Sequence, residues 1–297
     1  MSDDGRFGIC VIALIGSVFS PYYAWSGRRD PLNHCAINVA LYGGLGAGER
    51  RVKRWTMTER GRTRVTRDAT RLAIGPSAMG WEGDALILRI DERTAPFGQR
   101  IRGTVRLTPA ALPGHGALLD AAGAHRWQPI APCARVEVVL DDPQIRWSGP
   151  GYLDCNHGDA PLEDAFSRWD WSRAVMRDGS TAILYDATDR DGMARPPLGL
   201  RFSPAGGVQD FSPPPRAALP MTGWRIARGT QAEGGRASVV RTLEDTPFYA
   251  RSIIASQLLG EPVHAMHESL SLERFRLGIV KAMLPFRMPR RVLTPKA

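Results

Sequence analysis

Hydrophobic and polar positions along this chain switch over short distances. The segments "HCAINVALY" (34–42), "VKRWTMTE" (52–59), "ALILRI" (85–90) and "IRGTVRLT" (101–108) read as strands. So do "ARVEVVL" (134–140), "TAILYDA" (181–187) and "LGLRF" (198–202). In "TVRL" and "VEVV" successive side chains alternate in character, the period of a strand with one buried face. Turn chemistry separates the segments, as at "EGD" (82–84) and "DRDG" (189–192). One segment departs from this pattern. "SLERFRLGIVKAMLPF" (271–286) places Leu272, Phe275, Ile279, Met283 and Phe286 at helical spacing, with Pro285 and Pro289 to end the helix.

Short strands between turns predict an all-β chain of antiparallel sandwiches or barrels. Composition agrees: 43% of the residues are hydrophobic, enough for a core, and 31 Gly and 23 Pro supply turns. The 297 residues allow one large domain or two ordinary ones. A boundary is expected at 160–161, after the last strand of the first half, because a new strand series opens near Trp169. This gives domains 1–160 and 161–297, of similar size and both strand-rich. "SPPPR" (212–216) reads as a long loop.

Charge narrows the partners. The chain carries a net charge of +9, contributed mainly by arginine. That suits an anionic membrane surface or nucleic acid. No zinc-finger spacing, helix-turn-helix or aromatic RNA-binding signature is present, so no nucleic acid is expected. A solvated basic surface is the plain alternative. Cys10, Cys35, Cys133 and Cys155 are dispersed without Cys-x-x-Cys spacing, which predicts buried free thiols in a reducing compartment. The apolar run Phe7 to Phe19 is too short for a spanning helix, and "MSDDGR" before it is a poor signal-peptide start. A cytoplasmic protein without a transmembrane helix is expected.

Three apparent motifs carry little chemistry. "GGLGAG" (43–48) has Glu49 where a dinucleotide fingerprint needs its third glycine, and a strand follows it, so it reads as a loop. His264 and His267 in "HAMHE" give two possible metal ligands without a third, so no metal is expected. No G-x-S-x-G elbow is present for an esterase.

"AHRWQ" (124–128) and "GYLDCNHG" (151–158) remain. On strands, residues two apart share a face, so Tyr152 and Asp154 point together, as do His125 and Trp127. Were the two strands to line one cavity, a carboxyl, a phenol, an imidazole and an indole would converge. Desolvation by aromatic walls raises a carboxyl pKa, which suits a general acid. Ring faces stabilise a cation. Together they offer what protonation of an alkene requires. The other reading is that Asp154 is a turn or salt-bridge residue and Tyr152 packs beside it. Spacing alone leaves both open.

The long stretches around these residues resemble the carotenoid 1,2-hydratases, or hydroxyneurosporene synthases, of purple photosynthetic bacteria. The resemblance lies in "GSVFSPYYAWSGRRDPLNHCAINVALYG" (16–43), "RWTMTERG" (54–61), "AHRWQPIAPCARVEV" (124–138), "GYLDCNHGDAPLE" (151–163), "FSRWDWSRA" (166–174), "RTLEDTPFYARS" (241–252) and "HESLSLERFRLGIVKAMLPFRMPR" (267–290). It covers most of the chain.

It implies addition of water across the terminal C1–C2 double bond of an acyclic carotenoid such as neurosporene or lycopene. It further implies two lipocalin-like β-barrels with a short C-terminal helix, and no cofactor. Asp154 is then the acid, supported by His125, Trp127 and Tyr152, with His125 orienting Asp154 or accepting the last proton. A bilayer-dissolved substrate gives the basic C-terminal segment a purpose, peripheral contact with the anionic inner or photosynthetic membrane. A terpenoid or polyketide cyclase or isomerase of the same fold, and a non-catalytic carrier of hydrophobic ligands, are the alternatives.

Overall fold

The computed structural model describes residues 1–46, 48–49, 51–192 and 195–291. The chain is mostly β, as its alternation predicts, and divides into two compact units. Unit 1 holds Met1–Pro109, Arg135–Gly151 and the segment from Lys281. Unit 2 holds Ala110–Ala134 and Tyr152–Val280. The units therefore interleave along the sequence, and residues 160 and 161 both fall inside unit 2. The physical reason is strand length. The strands His125–Asp142 and Gln144–Gly158 are longer than their apolar cores suggest, and each has a portion in both units.

All seven segments read as strands from sequence are strands. The run at Phe7 to Phe19 also contains one, Gly8–Ile15, which pairs antiparallel with Cys35–Gly43. Cys35–Gly43 is buried along its whole length, which explains its nearly continuous apolar sequence. Of the glycine run at 43–48, Ala47 lies outside the described residues, as do the last residues of the expected second domain, 292–297.

Unit 1 packs around Ile37, Leu41, Ile74 and Ile101, all fully buried. A polar group is enclosed with them. Arg60 meets Glu92 at 2.7 Å, and Ser77 donates to the other oxygen of Glu92 at 2.7 Å. Such a pair must be hydrogen-bonded on both sides to offset its desolvation. In the same unit Glu59 is held by His34 and Arg290.

Unit 2 is built on a seven-stranded antiparallel sheet. Its order is Val208–Asp210, Leu198–Phe202, Thr181–Asp189, Phe166–Val175, Glu261–Ser271, Tyr249–Leu258 and Ala237–Asp245. The short helix Leu162–Ala165 connects the Asp154 strand to Phe166–Val175. The two faces of the sheet differ. One face buries Ala174, Ala182, Leu184, Ile254 and Ala265 with Leu219 of the ribbon Arg216–Leu219/Arg228–Gln231. Asp170 and Asp186 are register partners on that face, and like charges directly opposite repel. Arg216 bridges both carboxylates, at 2.7 Å from Asp170, while Gln231 donates to Asp186 at 2.8 Å. The opposite face carries Trp169, Trp171 and Arg173, all half-buried.

The C-terminal segment departs from the expected single helix. It breaks into Leu272–Phe275, Gly278–Met283 and a 3₁₀ turn, Leu284–Phe286. Leu272, Phe275, Val280 and Leu284 are buried, whereas Ile279, Met283 and Phe286 of the expected stripe are exposed. The break at Arg276–Leu277 shifts the helical phase, so the stripe does not continue across it. His264 and His267 lie on one strand, three apart, and so face opposite sides. His264 is exposed and His267 buried. None of the four cysteines forms a disulfide; Cys35 and Cys133 are buried, Cys10 half-buried and Cys155 exposed. The expectation of uniformly buried thiols fails at Cys155, which sits one residue from Asp154 on the outward face of its strand.

Close backbone approach fixes one strand crossing in unit 1. Gly103 has φ +149, and a Cβ there would lie 2.3 Å from the Val139 carbonyl oxygen. Gly83 also has positive φ (+62) but open space around it. We expect Gly83→Ala to cost about 1 kcal/mol from backbone strain and Gly103→Ala about 3 kcal/mol, because overpacking adds to strain. Denaturant unfolding of the two variants checks the difference.

Candidate active site

Four elements of unit 2 bring the site together. Trp127 lies on His125–Asp142, where it is register partner to Ala117. Its side chain is fully buried. Tyr152 and Asp154 share one face of the neighbouring strand Gln144–Gly158, as their spacing predicts. Phe166–Val175 supplies Trp169 and Trp171, and Thr181–Asp189 supplies Tyr185.

Two donors converge on a single oxygen. Trp127 Nε1–H donates to Asp154 Oδ2 at 2.8 Å, and the Tyr152 hydroxyl donates to the same oxygen at 2.9 Å. Rings enclose the pair. The Trp127 and Tyr185 ring centres are 5.4 Å apart, Trp169 and Tyr185 5.2 Å, and Tyr152 and Trp171 5.5 Å. The Arg173 guanidinium lies 5.3 Å from the Tyr152 ring centre. These offset and tilted arrangements suit ring quadrupoles.

The electrostatics follow from this enclosure. Burial is the largest influence on Asp154 and disfavours its charge, and the negative charge of Glu268 acts in the same direction. The Trp127 and Tyr152 hydrogen bonds oppose both by favouring the carboxylate. The balance lifts the carboxyl from its ordinary 3.8 to about 6. Both side-chain donors go to Oδ2, so a proton on this carboxyl would sit on Oδ1. Burial, followed by the Asp154 charge, pushes the Tyr152 phenol well above its usual range, so it remains a donor. Burial lowers Arg173 to about 10, which leaves it charged at neutrality.

His125 is near but engaged elsewhere. Its Nδ1 faces Asp120 Oδ2 at 3.2 Å and its Nε2 faces the Ala160 carbonyl at 2.9 Å. Both nitrogens therefore face acceptors, and neither contacts Asp154. Asp120 also accepts from the His125 amide at 2.9 Å. Burial pushes the Asp120 carboxyl up, but the hydrogen bonds and charge of His125 outweigh it and hold the group below its usual value. The His125 ring packs edge-on to Phe166, centres 5.1 Å apart. Gly158 permits this seating, since a Cβ there would lie 2.7 Å from His125 Cδ2. The sequence thus points to three residues that meet and a fourth that anchors the strand beside them.

Sequence reasoning started a new strand series near Trp169 and assigned no site role to Trp171, Tyr185 or Glu268. The alternation "WDWSR" was the available signal, because it puts Trp169, Trp171 and Arg173 on one face. Tyr185 and Glu268 become visible only through register, as the cross-strand partners of Trp171. His157, the histidine of "GYLDCNHG", is exposed.

The raised pKa has a consequence for stability. Between 3.8 and about 6 the folded protein holds a proton on Asp154 that the unfolded chain releases, so stability falls as pH rises through that window. Asn at this position keeps an oxygen acceptor for Trp127 and Tyr152 and has no charge to bury. We expect Asp154→Asn to match the wild-type melting temperature below pH 3.8 and to exceed it progressively up to about pH 6, then by a constant margin. Melting curves across that range check this.

Residues 11–296 match the family model described as Carotenoid hydratase CrtC. The acyclic carotenoid 1,2-hydratase of Thiocapsa roseopersicina is 57% identical over 98% of this chain and 71% of its own length. That of Rubrivivax gelatinosus is 51% identical over the same shares. That of Cereibacter sphaeroides is 41% identical over 95% of this chain and 98% of its own. Two solved structures share the fold at low identity. A Nitrosomonas europaea protein assigned to AttH has a TM-score of 0.60 and 15% identity, covering 91% of this chain and 88% of its own. Kievitone hydratase from Nectria haematococca has a TM-score of 0.57 and 8% identity, covering 93% and 87%. The match over nearly the whole chain, with curated relatives this similar, places the chain in the carotenoid hydratase family CrtC.

Proposed function

We propose that the protein adds water to the terminal C1–C2 double bond of an acyclic carotenoid, with Asp154 as the general acid. The observation that carries this reading is a carboxyl lifted to about pH 6 inside a wall of aromatic rings. The family's activity supplies the substrate class.

Protonation at C2 puts the positive charge on C1, which bears two methyl groups and so forms the more stable tertiary cation. Asp154 Oδ1 delivers that proton. Trp127, Tyr152, Trp171 and Tyr185 offer ring faces to the cation, and each such contact is worth about 2 kcal/mol when desolvated. Water adds to C1 and loses a proton, giving a tertiary alcohol. Trp127 and Tyr152 hold the carboxyl in one orientation and, by donating to it, stabilise the negative charge it gains. His125 is a positioning residue, which fixes the start of the Trp127 strand through Asp120 and Ala160. No step calls on a cofactor. The description of each unit as a lipocalin-like barrel belongs to the same proposal, supported by the seven-stranded antiparallel sheet of unit 2 and the successive antiparallel pairing of strands from Val65 to Pro109 in unit 1.

The substrate dissolves in lipid, so the protein must reach a bilayer. No helix among the described residues is long and apolar enough to cross one. Leu277, Ile279, Met283 and Phe286 are exposed between basic residues Arg274, Arg276, Lys281 and Arg287. Apolar side chains among cations suit shallow insertion into an anionic surface.

Purified protein given lycopene in lipid is expected to yield a product heavier by one water. An unchanged mass would indicate isomerisation or cyclisation, and stoichiometric binding without product a carrier. Asp154→Asn should fold and lose nearly all activity, because a general acid contributes about 10²–10⁴ in rate. The acid form falls about tenfold per pH unit above its pKa, so wild-type kcat/KM should decline above about pH 6. Trp127→Phe and Tyr152→Phe each remove a hydrogen bond to the carboxylate, and their declines should begin at higher pH. Co-sedimentation with anionic vesicles should weaken in high salt.

A further inference from the structure

We propose that Glu268 is the base of this reaction, holding the attacking water together with the Trp171 indole N–H and taking its proton. The inference rests on the hydratase reading above. Hydration needs a group to receive a proton at C1 as well as one to give a proton at C2. His125 is poorly placed to receive it, since both its ring nitrogens already face acceptors.

Register puts Glu268 on the face that carries the rings. Tyr185, Trp171, Glu268, Arg251 and Glu244 are successive cross-strand partners, so their side chains form one row on one side of the sheet. Trp171 in turn packs on Tyr152, whose hydroxyl holds Asp154. The Trp171–Tyr152 contact thus links the cross-strand partner of Glu268 to the hydroxyl that holds Asp154. The proximity of the two carboxyls is felt electrostatically, because the Glu268 charge raises both Asp154 and Tyr185.

Two polar atoms in this row are unused. Arg251, almost fully buried, donates to Glu268 through Nε at 2.8 Å, and its terminal nitrogen lies 2.8 Å from the same oxygen, Oε1. Among the described residues Oε2 has no hydrogen-bond partner. Trp171 Nε1 is buried and likewise has none. A buried indole N–H without an acceptor is costly, and a polar ligand repays it. Water accepts from Trp171 and donates to Glu268 Oε2, which orients its lone pair for attack. Arg251 sets its positive charge beside Glu268 and leaves Oε2 open to the water.

The step balances. The Asp154 O–H bond breaks and a C2–H bond forms from the alkene electron pair. The water oxygen bonds to C1, and one water O–H bond breaks toward Glu268. The enzyme is left with Asp154 ionised and Glu268 protonated, and proton exchange through solvent restores the starting state.

The test compares variants in the lycopene assay. Glu268→Gln keeps the shape and a hydrogen bond to Arg251 but cannot take the proton. We expect its kcat to fall by about 10²-fold or more with KM little changed, and Glu268→Asp to recover part of the loss. Trp171→Phe keeps the ring but loses the donor, and should fall about tenfold. In Glu268→Ala, formate or acetate should restore activity beside Arg251, whereas chloride, which neutralises the cation but is a negligible base, should not. Glu268→Gln within a few-fold of wild type would overturn the proposal. So would rescue of Glu268→Ala by chloride as well as by formate, which would make Glu268 only a partner for Arg251. Should Glu268→Ala fail to fold, Glu268→Gln decides. Absence of product from wild type would count against the hydratase reading itself.

Discussion

Everything in the site depends on how one oxygen, Asp154 Oδ2, is held. It accepts from Trp127 and Tyr152, and these bonds alone would stabilise the carboxylate and make a weak donor of the group. Removal of water by the surrounding rings acts the other way and is the larger effect. The result is a carboxyl raised to about 6, which suits the proposed acid: it can hold a proton near neutrality and has two donors to bear its charge afterwards. A drier site without the two donors would keep the proton and strand the anion. A wetter site would lose the proton before the substrate arrived.

The seven-stranded sheet makes such a site affordable by separating its faces. On one side, Asp170 and Asp186 are bridged by Arg216 within a hydrogen-bonded network that includes Gln231 and Ser269. With the apolar cluster around Leu184 and Ile254, this side holds the sheet against its covering ribbon. Strand alternation then leaves the other side free for half-buried rings and the Glu268–Arg251 pair. Substitutions on the two sides should thus report on different properties, stability on one and chemistry on the other.

Much of this was legible in the sequence, for physical reasons. A two-residue period is a local property, so the pairing of Tyr152 with Asp154 and the strands around them could be read directly. Convergence of Trp127 on Asp154 was left open by spacing alone, because it requires the two strands to be neighbours, as they are. Register was not legible, since it depends on the whole sheet, and so Tyr185 and Glu268 stayed hidden although Trp171 was in view. His125 shows a different limit. Its spacing from Trp127 suggested shared work at the acid, but Asp120 and the Ala160 carbonyl hold its nitrogens, and neither is marked by any motif. The C-terminal stripe failed because one break at Arg276–Leu277 changes the phase of every later position. Two long strands carry the chain between the units, which no local composition marks, so residues 160 and 161 both lie within unit 2.

The central claim is that Asp154 is protonated in the folded protein at pH values where an ordinary aspartate is not. Carbon-13 NMR of labelled aspartate carboxyls, with the Asp154 signal assigned by its loss in Asp154→Asn, measures this directly. The account predicts a titration midpoint near 6. A midpoint at or below the ordinary 3.8 would contradict it, for the hydrogen bonds would then outweigh the burial.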